Sequence, residues 1–305
     1  MFASHITAAM KQKLLIIVGP TASGKSALAV SLARRFNGEV VSADSRQVYK
    51  GLDIGTAKVT KREMDGIRHY LLDEVTPHRI FTAQDFVNRA QIAIKNINKH
   101  GKLPIVAGGT GFYIDALTNR ISLSNIPPNL TLRSRLEKKT TAQLFTLLRK
   151  RDPHRAKKIE PLNKRRIIRA LEIATARPRP MIGLRNQSFD AFWIGLRLPN
   201  ENLQKKICAR AAGQVRRGLM REVKKLRESR ISLKRIRGLG FEYSLALDHA
   251  DGKISKQLLL DSLATKTWQY ARRQMTYWRR NSSIKWYSLS QKKQIEKVVR
   301  KWLRQ

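Results

Sequence analysis

The first strongly apolar stretch, Leu14 to Val18, is short and unbroken and runs into Gly19-Pro20, which predicts a buried strand. A glycine-containing turn follows, then a helical pattern from about Lys25 to Arg35. A second run, Glu39 to Ala43, predicts a strand ending at Asp44. Helical spacing covers roughly Ala83 to Lys99, with Gly101 placed to cap it. A third strand, Leu103 to Ala107, leads into Gly108-Gly109-Thr110-Gly111. Alternating strands and helices imply an α/β fold with a parallel sheet, which binds ligands beyond the carboxyl ends of its strands.

The texture changes near Arg120. A Pro-rich link over Asn125–Asn129 precedes helical patterns at Thr131–Arg151 and Asn163–Ala176, and Arg177-Pro178-Arg179-Pro180 breaks that block. Phe192 to Leu198 then predicts one more buried strand. The expected organisation is an α/β core over 1–119, a basic helical insertion over 120–189, and a return to the core over 190–305. Two long helices follow. Leu203, Ile207, Ala211, Val215, Leu219 and Val223 form the apolar stripe of the first. Ala264, Trp268, Ala271, Met275 and Trp278 form the expected buried face of the second, around Leu258 to Arg280.

Composition adds limits. With 305 residues, 42% of them hydrophobic, the chain can bury a large core. Leu14 to Val18 is too short to span a bilayer, and Lys11 and Lys13 before a run ending in Gly-Pro do not form a signal peptide. A single cysteine, Cys208, excludes an intramolecular disulfide and a cysteine-cluster metal site. A cytoplasmic monomer with no membrane partner is therefore expected. The net charge of +40 is uneven: +7 over 1–119, +14 over 120–189 and +19 over 190–305. Such self-repulsion suits a polyanionic partner gripped by the middle and C-terminal parts; the alternatives are a generally basic proteome or a charged membrane surface.

Gly19-Pro20-Thr21-Ala22-Ser23-Gly24-Lys25-Ser26 fits the G-x-x-x-x-G-K-[ST] phosphate loop, with a strand before it and a helix after it. Its backbone N–H groups would face phosphate oxygens, Lys25 would add a charge, and Ser26 would offer a hydroxyl to Mg²⁺. A nucleoside triphosphate and a prenyl diphosphate both present oxygens that such a loop binds. Asp44, at the end of the second strand, has three readings: a metal-holding acid, a base for an incoming nucleophile, or a turn cap. The strand 103–107 ends in Gly-Gly, so a second metal-holding acid is missing there.

The series GPTASGKS (19–26), ADSRQVYKGLDIGTAK (43–58), GGTGFY (108–113), NKRRIIRALEI (163–173), GLMREV (218–223) and TWQYARRQMTYWRR (267–280) resembles the tRNA isopentenyltransferase family, over nearly the whole chain. The resemblance implies a P-loop, nucleotide-kinase-like core and transfer of a dimethylallyl group from dimethylallyl diphosphate to the N6 amine of the tRNA adenosine 3′ of the anticodon. It assigns Asp44 as base and Thr110 and Lys25 as catalytic partners. Gly19, Thr21, Ala22, Ser23, Gly24, Lys25, Ser26 and Arg210 would bind diphosphate, with Mg²⁺ on Ser26; Arg210 could instead be an ordinary surface arginine. The implied tRNA contacts are Asp44, Ser45, Arg46, Gln47, Arg133, Arg165, Arg166, Arg169, Arg237, Gly240 and Phe241, the last three within an expected loop at 237–242.

On spacing alone, Arg165, Arg169 and Glu172 form a solvated helix face. Tyr270, Arg273, Tyr277 and Arg280 share a stripe fit either for stacking and phosphate pairing or for packing with charges turned outward. Ile67-Arg68-His69-Tyr70, Leu72-Asp73-Glu74-Val75 and Gln214 depart from the family pattern. Three other functions stay open: a nucleotide kinase, an RNA-binding module with a relic P-loop, and an enzyme prenylating free adenine nucleotides. The +40 charge argues against the last.

Overall fold

The computed structural model describes residues 11–124, 126–176 and 189–305. Arg177-Pro178-Arg179-Pro180 and the first residue of the 125–129 link lie outside the described residues. Six strands form one parallel sheet: β1 (Gln12–Val18), β2 (Gly38–Ser42), β3 (His69–Tyr70), β4 (Leu103–Ala107), β5 (Phe189–Leu196) and β6 (Lys285–Tyr287), in the order β3-β2-β4-β1-β5-β6. Leu14 through Val18 are fully buried, as a central parallel strand with both faces covered requires. Leu28 and Leu32 of the helix Lys25–Arg35 share a core with Leu15, Ile17, Ile105 and Ile194. The C-terminal helix Lys292–Leu303 adds Ile295, Val299 and Trp302 to that core.

The described residues cluster into two compact units, one within Met1–Ile121 and Asn186–Gln305, the other within Ser122–Arg185. The second is helical. Leu136, Leu144, Leu148, Ile167, Ile168 and Leu171 build its core. Among the described residues no helix is long and apolar enough to cross a membrane.

Several sequence expectations are corrected. The helical pattern at 131–151 is two helices, Leu130–Glu137 and Thr141–Arg151, because Thr140 starts a new one with a capping box to Gln143. The four-residue stripe from Leu203 to Val223 also spans two helices, Asn200–Arg217 and Leu219–Glu228. Gly218 separates them at φ 108, a left-handed geometry that interrupts the ladder. In the helix Lys256–Trp278 the buried line is Leu259, Leu263, Thr267, Ala271, Gln274 and Trp278. Of the expected face, Ala271 and Trp278 are fully buried, and Ala264 and Trp268 pack against Leu203 and Ile207. Met275 is half-buried beside a cavity of about 540 Å³ that Trp268 and Ala271 also line. Residues 237–242 are no loop: helix Leu233–Leu239 and helix Phe241–Ala250 meet at Gly240. The edge strands β3 and β6, two and three residues long, carry too little periodicity to be read from sequence.

Candidate active site

Register brings three loops out of the sheet together. Ala107 of β4 lies level with Ile17 of β1 and with Ser42 of β2, so the chain leaves all three strands at one height. The segments beginning at Gly19, Ala43 and Gly108 therefore share one crevice at the carboxyl edge. Packing there is tight: a β-carbon on Gly108 would sit 2.2 Å from the Ala43 carbonyl oxygen. Gly24, at φ 92, makes the left-handed turn that opens the helix Lys25–Arg35 at the end of the phosphate loop. Ser23 is fully buried in that loop, and its hydroxyl has no hydrogen-bond partner among the described residues.

Lys25 folds back over the loop, its Nζ donating to the Pro20 carbonyl at 2.6 Å. Burial pulls its pKa down to about 7, with Arg210 adding to the effect and Asp44 opposing it. Arg210 is no ordinary surface arginine. Its guanidinium donates to Thr21 Oγ1 at 2.8 Å and to the Thr56 carbonyl at 3.1 Å, which ties the phosphate loop to the 52–58 segment. Lys25 and Arg210 lower each other's tendency to stay charged, a repulsion that an anionic ligand between them would relieve.

Of the three readings of Asp44, the turn cap is observed. Its Oδ1 accepts from the N–H groups of Arg46 at 2.8 Å and Gln47 at 3.3 Å, capping the turn. Its Oδ2 receives no hydrogen bond from the described residues, so one oxygen is fixed and the other faces the site unpaired. Thr110 supports the same turn, accepting at Oγ1 from the Ser45 N–H and donating its own N–H to the Ala43 carbonyl.

Two cavities meet here. One, of about 310 Å³, is lined by Ala22, Gly24, Lys25 and Ser26 of the phosphate loop, with Gln47. The other, of about 250 Å³, is lined by Ser45, Arg46, Gln214, Gly240, Phe241 and Glu242. Thr21, Asp44, Arg210 and Tyr270 line both. Asp44 thus stands at the junction of an anion-binding pocket and a neighbouring space large enough for one base.

Mg²⁺ prefers hard oxygen ligands and commonly takes most of them from substrate phosphates and water. Among the described residues no cluster of three or more His, Cys, Asp or Glu could hold a metal. The exposed Ser26 hydroxyl on the loop offers one hard oxygen, which fits the expected Mg²⁺.

Two supporting residues have roles that the sequence reading did not assign. Gln274 accepts from the Thr21 N–H at 2.7 Å and donates to the Gly109 carbonyl at 3.0 Å, bridging two of the three loops. Glu222, 7% exposed, accepts from the N–H groups of Asp53, Ile54 and Gly55 at 2.8–3.0 Å and from the Tyr243 hydroxyl at 2.8 Å. Gln214 donates to the carbonyls of Ile54 and Gly55 from the other side. Both sat inside quoted motifs, and a buried polar residue in an amphipathic helix was the available signal.

The remaining candidates divide. Ser45, Arg46, Gly240 and Phe241 line the second cavity. Arg237 is paired with Asp248 at 2.7 Å. Within the helical unit Arg165 and Arg166 are exposed, whereas Arg133 and Arg169 both bind Glu172. Glu172 is 2% exposed, so the reading of a solvated face fails for it. Burial alone would raise its pKa; hydrogen bonds from Arg133, the Asn129 N–H and Arg169 hold it below the usual carboxylate value. Along the C-terminal stripe, Tyr270 faces both cavities and Tyr277 bonds Asp115, while Arg273 and Arg280 are exposed. His69, in the departing 67–70 segment, lines the first cavity, with its pKa lowered by burial.

A parallel sheet with a phosphate loop at its carboxyl edge and an acid beside it defines a P-loop enzyme core. The profile of a family described as IPP transferase matches residues 47–281. The chain is 37% identical over 296 residues to a tRNA dimethylallyltransferase of Anoxybacillus flavithermus, covering 95% of this chain and 94% of that one. It is 38% identical over 301 residues to a tRNA dimethylallyltransferase of Caldanaerobacter subterraneus, covering 95% and 96%. The crystal structure of a full-length tRNA isopentenylpyrophosphate transferase from Bacillus halodurans matches with TM-score 0.73 and 35% identity, over 96% of this chain and 97% of that one. A eukaryotic dimethylallyltransferase captured acting on tRNA matches with TM-score 0.73 and 28% identity, over 88% and 70%. The chain belongs to the IPP transferase family.

Proposed function

We propose that this protein transfers a dimethylallyl group from dimethylallyl diphosphate to the N6 amine of the adenosine 3′-adjacent to the anticodon of tRNA, releasing diphosphate, as a Mg²⁺-assisted cytoplasmic monomer. The observation that carries this reading is the placement of Asp44 between the phosphate-loop cavity and a second, base-sized one. Its relatives' names supply the dimethylallyl group and the tRNA acceptor, and the phosphate loop supports a diphosphate as the donor's leaving group.

The chemistry follows from that placement. An exocyclic adenine amine is a weak nucleophile, because its lone pair is delocalised into the ring. As N6 attacks the first carbon of the dimethylallyl group, Asp44 Oδ2 takes one amine proton and the carbon–oxygen bond to the diphosphate breaks. The leaving diphosphate gathers negative charge, which the 19–26 backbone, Lys25, Arg210 and the Thr21 hydroxyl are placed to stabilise. Ser26 would help hold a Mg²⁺, which when bound would neutralise part of that charge. The base must leave its stack to reach Asp44, and Phe241 and Tyr270 offer it aromatic surfaces.

Incubation with unmodified tRNA, Mg²⁺ and dimethylallyl diphosphate should yield N6-dimethylallyladenosine, seen by mass spectrometry of the digested nucleosides. A phosphorylated nucleotide made from ATP, with no prenylated nucleoside, would replace this reading with a kinase. Because the charge is +40 and concentrated beyond residue 119, tRNA affinity should fall steeply between low and physiological salt. A flat salt response would remove the basic surface from the account.

A further inference from the structure

The cavity beyond Asp44 contains a second carboxyl group that the transfer chemistry does not use. Glu242 stands in the first turn of the helix Phe241–Ala250 and lines the cavity with Asp44, Arg46, Arg210 and Tyr270. Its side chain folds back over Gly240, where a β-carbon would come within 2.6 Å of Oε2. No side chain hydrogen-bonds or ion-pairs with it; its own backbone N–H is its one hydrogen-bond partner among the described residues. Other carboxylates around the site hold backbone N–H groups: Glu222 accepts four hydrogen bonds, and Asp44 caps a turn through Oδ1, its Oδ2 being the oxygen assigned to the transfer step. A recessed carboxyl without a protein partner, facing a cavity of about 250 Å³, is placed to meet a ligand.

We propose that Glu242 reads the Watson–Crick edge of the acceptor adenine, donating a hydrogen bond to ring N1 and accepting one from the N6 amine. The proposal rests on the tRNA adenine being the acceptor. Adenine presents N1 as an acceptor next to the N6 donor, a pattern matched by any group with a donor and an acceptor side by side. A neutral carboxylic acid is such a group; a carboxylate is not, since one oxygen can accept from N6 but the other, having no proton, would meet the N1 lone pair. Burial raises the Glu242 pKa to about 7, opposed by its own N–H and by Arg210 and Arg46, with Asp44 adding to the rise. The sign follows: below pH 7 the carboxyl is neutral and can donate, and above it the donor is lost. With one in-plane N6 hydrogen on Glu242 and the other on Asp44, the amine lone pair is left perpendicular to the ring, the direction in which a new bond to carbon forms.

The test is donor-free binding of anticodon stem-loop RNAs bearing adenosine or 1-deazaadenosine at the acceptor position, at pH 6 and pH 8.5. Without the diphosphate substrate, loss of its charge partners does not enter. Wild type should prefer adenosine by roughly 10- to 100-fold at pH 6, the worth of a bidentate base contact, and lose most of that preference at pH 8.5. Glu242→Gln, whose amide keeps a donor beside an acceptor at every pH, should hold the preference at both. Glu242→Ala should show none at either. Equal binding of the two RNAs by wild type, an Ala variant that still discriminates, or a Gln variant as pH-sensitive as wild type would each overturn the assignment. Thermal melting of the variants separates recognition from folding, and the Gln variant keeps the side-chain volume. Failure of the transfer reading is seen separately, as absence of prenylated nucleoside with the wild-type protein.

Discussion

Asp44→Ala should lower prenyl transfer by roughly 10²–10⁴-fold, the span that general-base groups contribute, while tRNA affinity stays within a few-fold of wild type. The asymmetry follows from how the carboxylate is held. Oδ1 caps a turn through the N–H groups of Arg46 and Gln47, and Oδ2 is the oxygen left for the amine. Asp44→Asn separates the two jobs. Its amide oxygen can still cap the turn, so the loop keeps its shape, but it cannot accept a proton at neutral pH. Asn should therefore be as inactive as Ala and melt closer to wild type. Single-turnover transfer with labelled donor, beside fluorescence binding of tRNA, measures both quantities. An Asn variant with normal turnover would remove Asp44 as the base.

Glu222→Ala should be the most destabilising single change around the site, at about 3–5 kcal/mol. The carboxylate is 7% exposed and satisfies three consecutive backbone N–H groups and the Tyr243 hydroxyl. Truncation leaves those donors buried without an acceptor, each costing roughly 1–3 kcal/mol, though water can enter the space and recover part of this. The 53–55 segment would loosen and take with it the Thr56 carbonyl that receives Arg210. Loss of diphosphate affinity should thus accompany loss of stability. Glu222→Gln keeps one acceptor oxygen and should lose less. Urea unfolding of the three proteins reads the difference, and an Ala variant with an unchanged midpoint would contradict the anchoring role.

Much of the sheet was legible because buried parallel strands are written as unbroken apolar runs. Leu103–Ala107 was bounded as observed; β2 is one residue displaced, and β5 begins three residues before the predicted start. The phosphate loop was legible because its geometry needs glycine at fixed places, as at Gly24. Helix breaks were less readable. An apolar stripe continues across Gly218 and suggests one helix, yet the left-handed φ there ends it. Periodicity is blind to a backbone kink that leaves the hydrophobic face in register. Buried polar residues were hardest. Glu172 sits at positions that suit a solvated face, and only the pairing with Arg133 and Arg169 explains its burial. That pairing also commits Arg133 and Arg169 to the helical unit's own scaffold, while Arg165 and Arg166 stay exposed. Gln274, Gln214 and Glu222 act on segments more than fifty residues away in sequence, a separation that local pattern does not encode.

The most direct measurement is a crystal structure of the protein with an unreactive dimethylallyl diphosphate analogue and an anticodon stem-loop. The account predicts the diphosphate against Gly19–Ser26 and an extruded adenine whose N6 lies about 3 Å from Asp44 Oδ2, with the first allyl carbon on its other side. A purine bound away from that oxygen, or a diphosphate outside the loop, would contradict it.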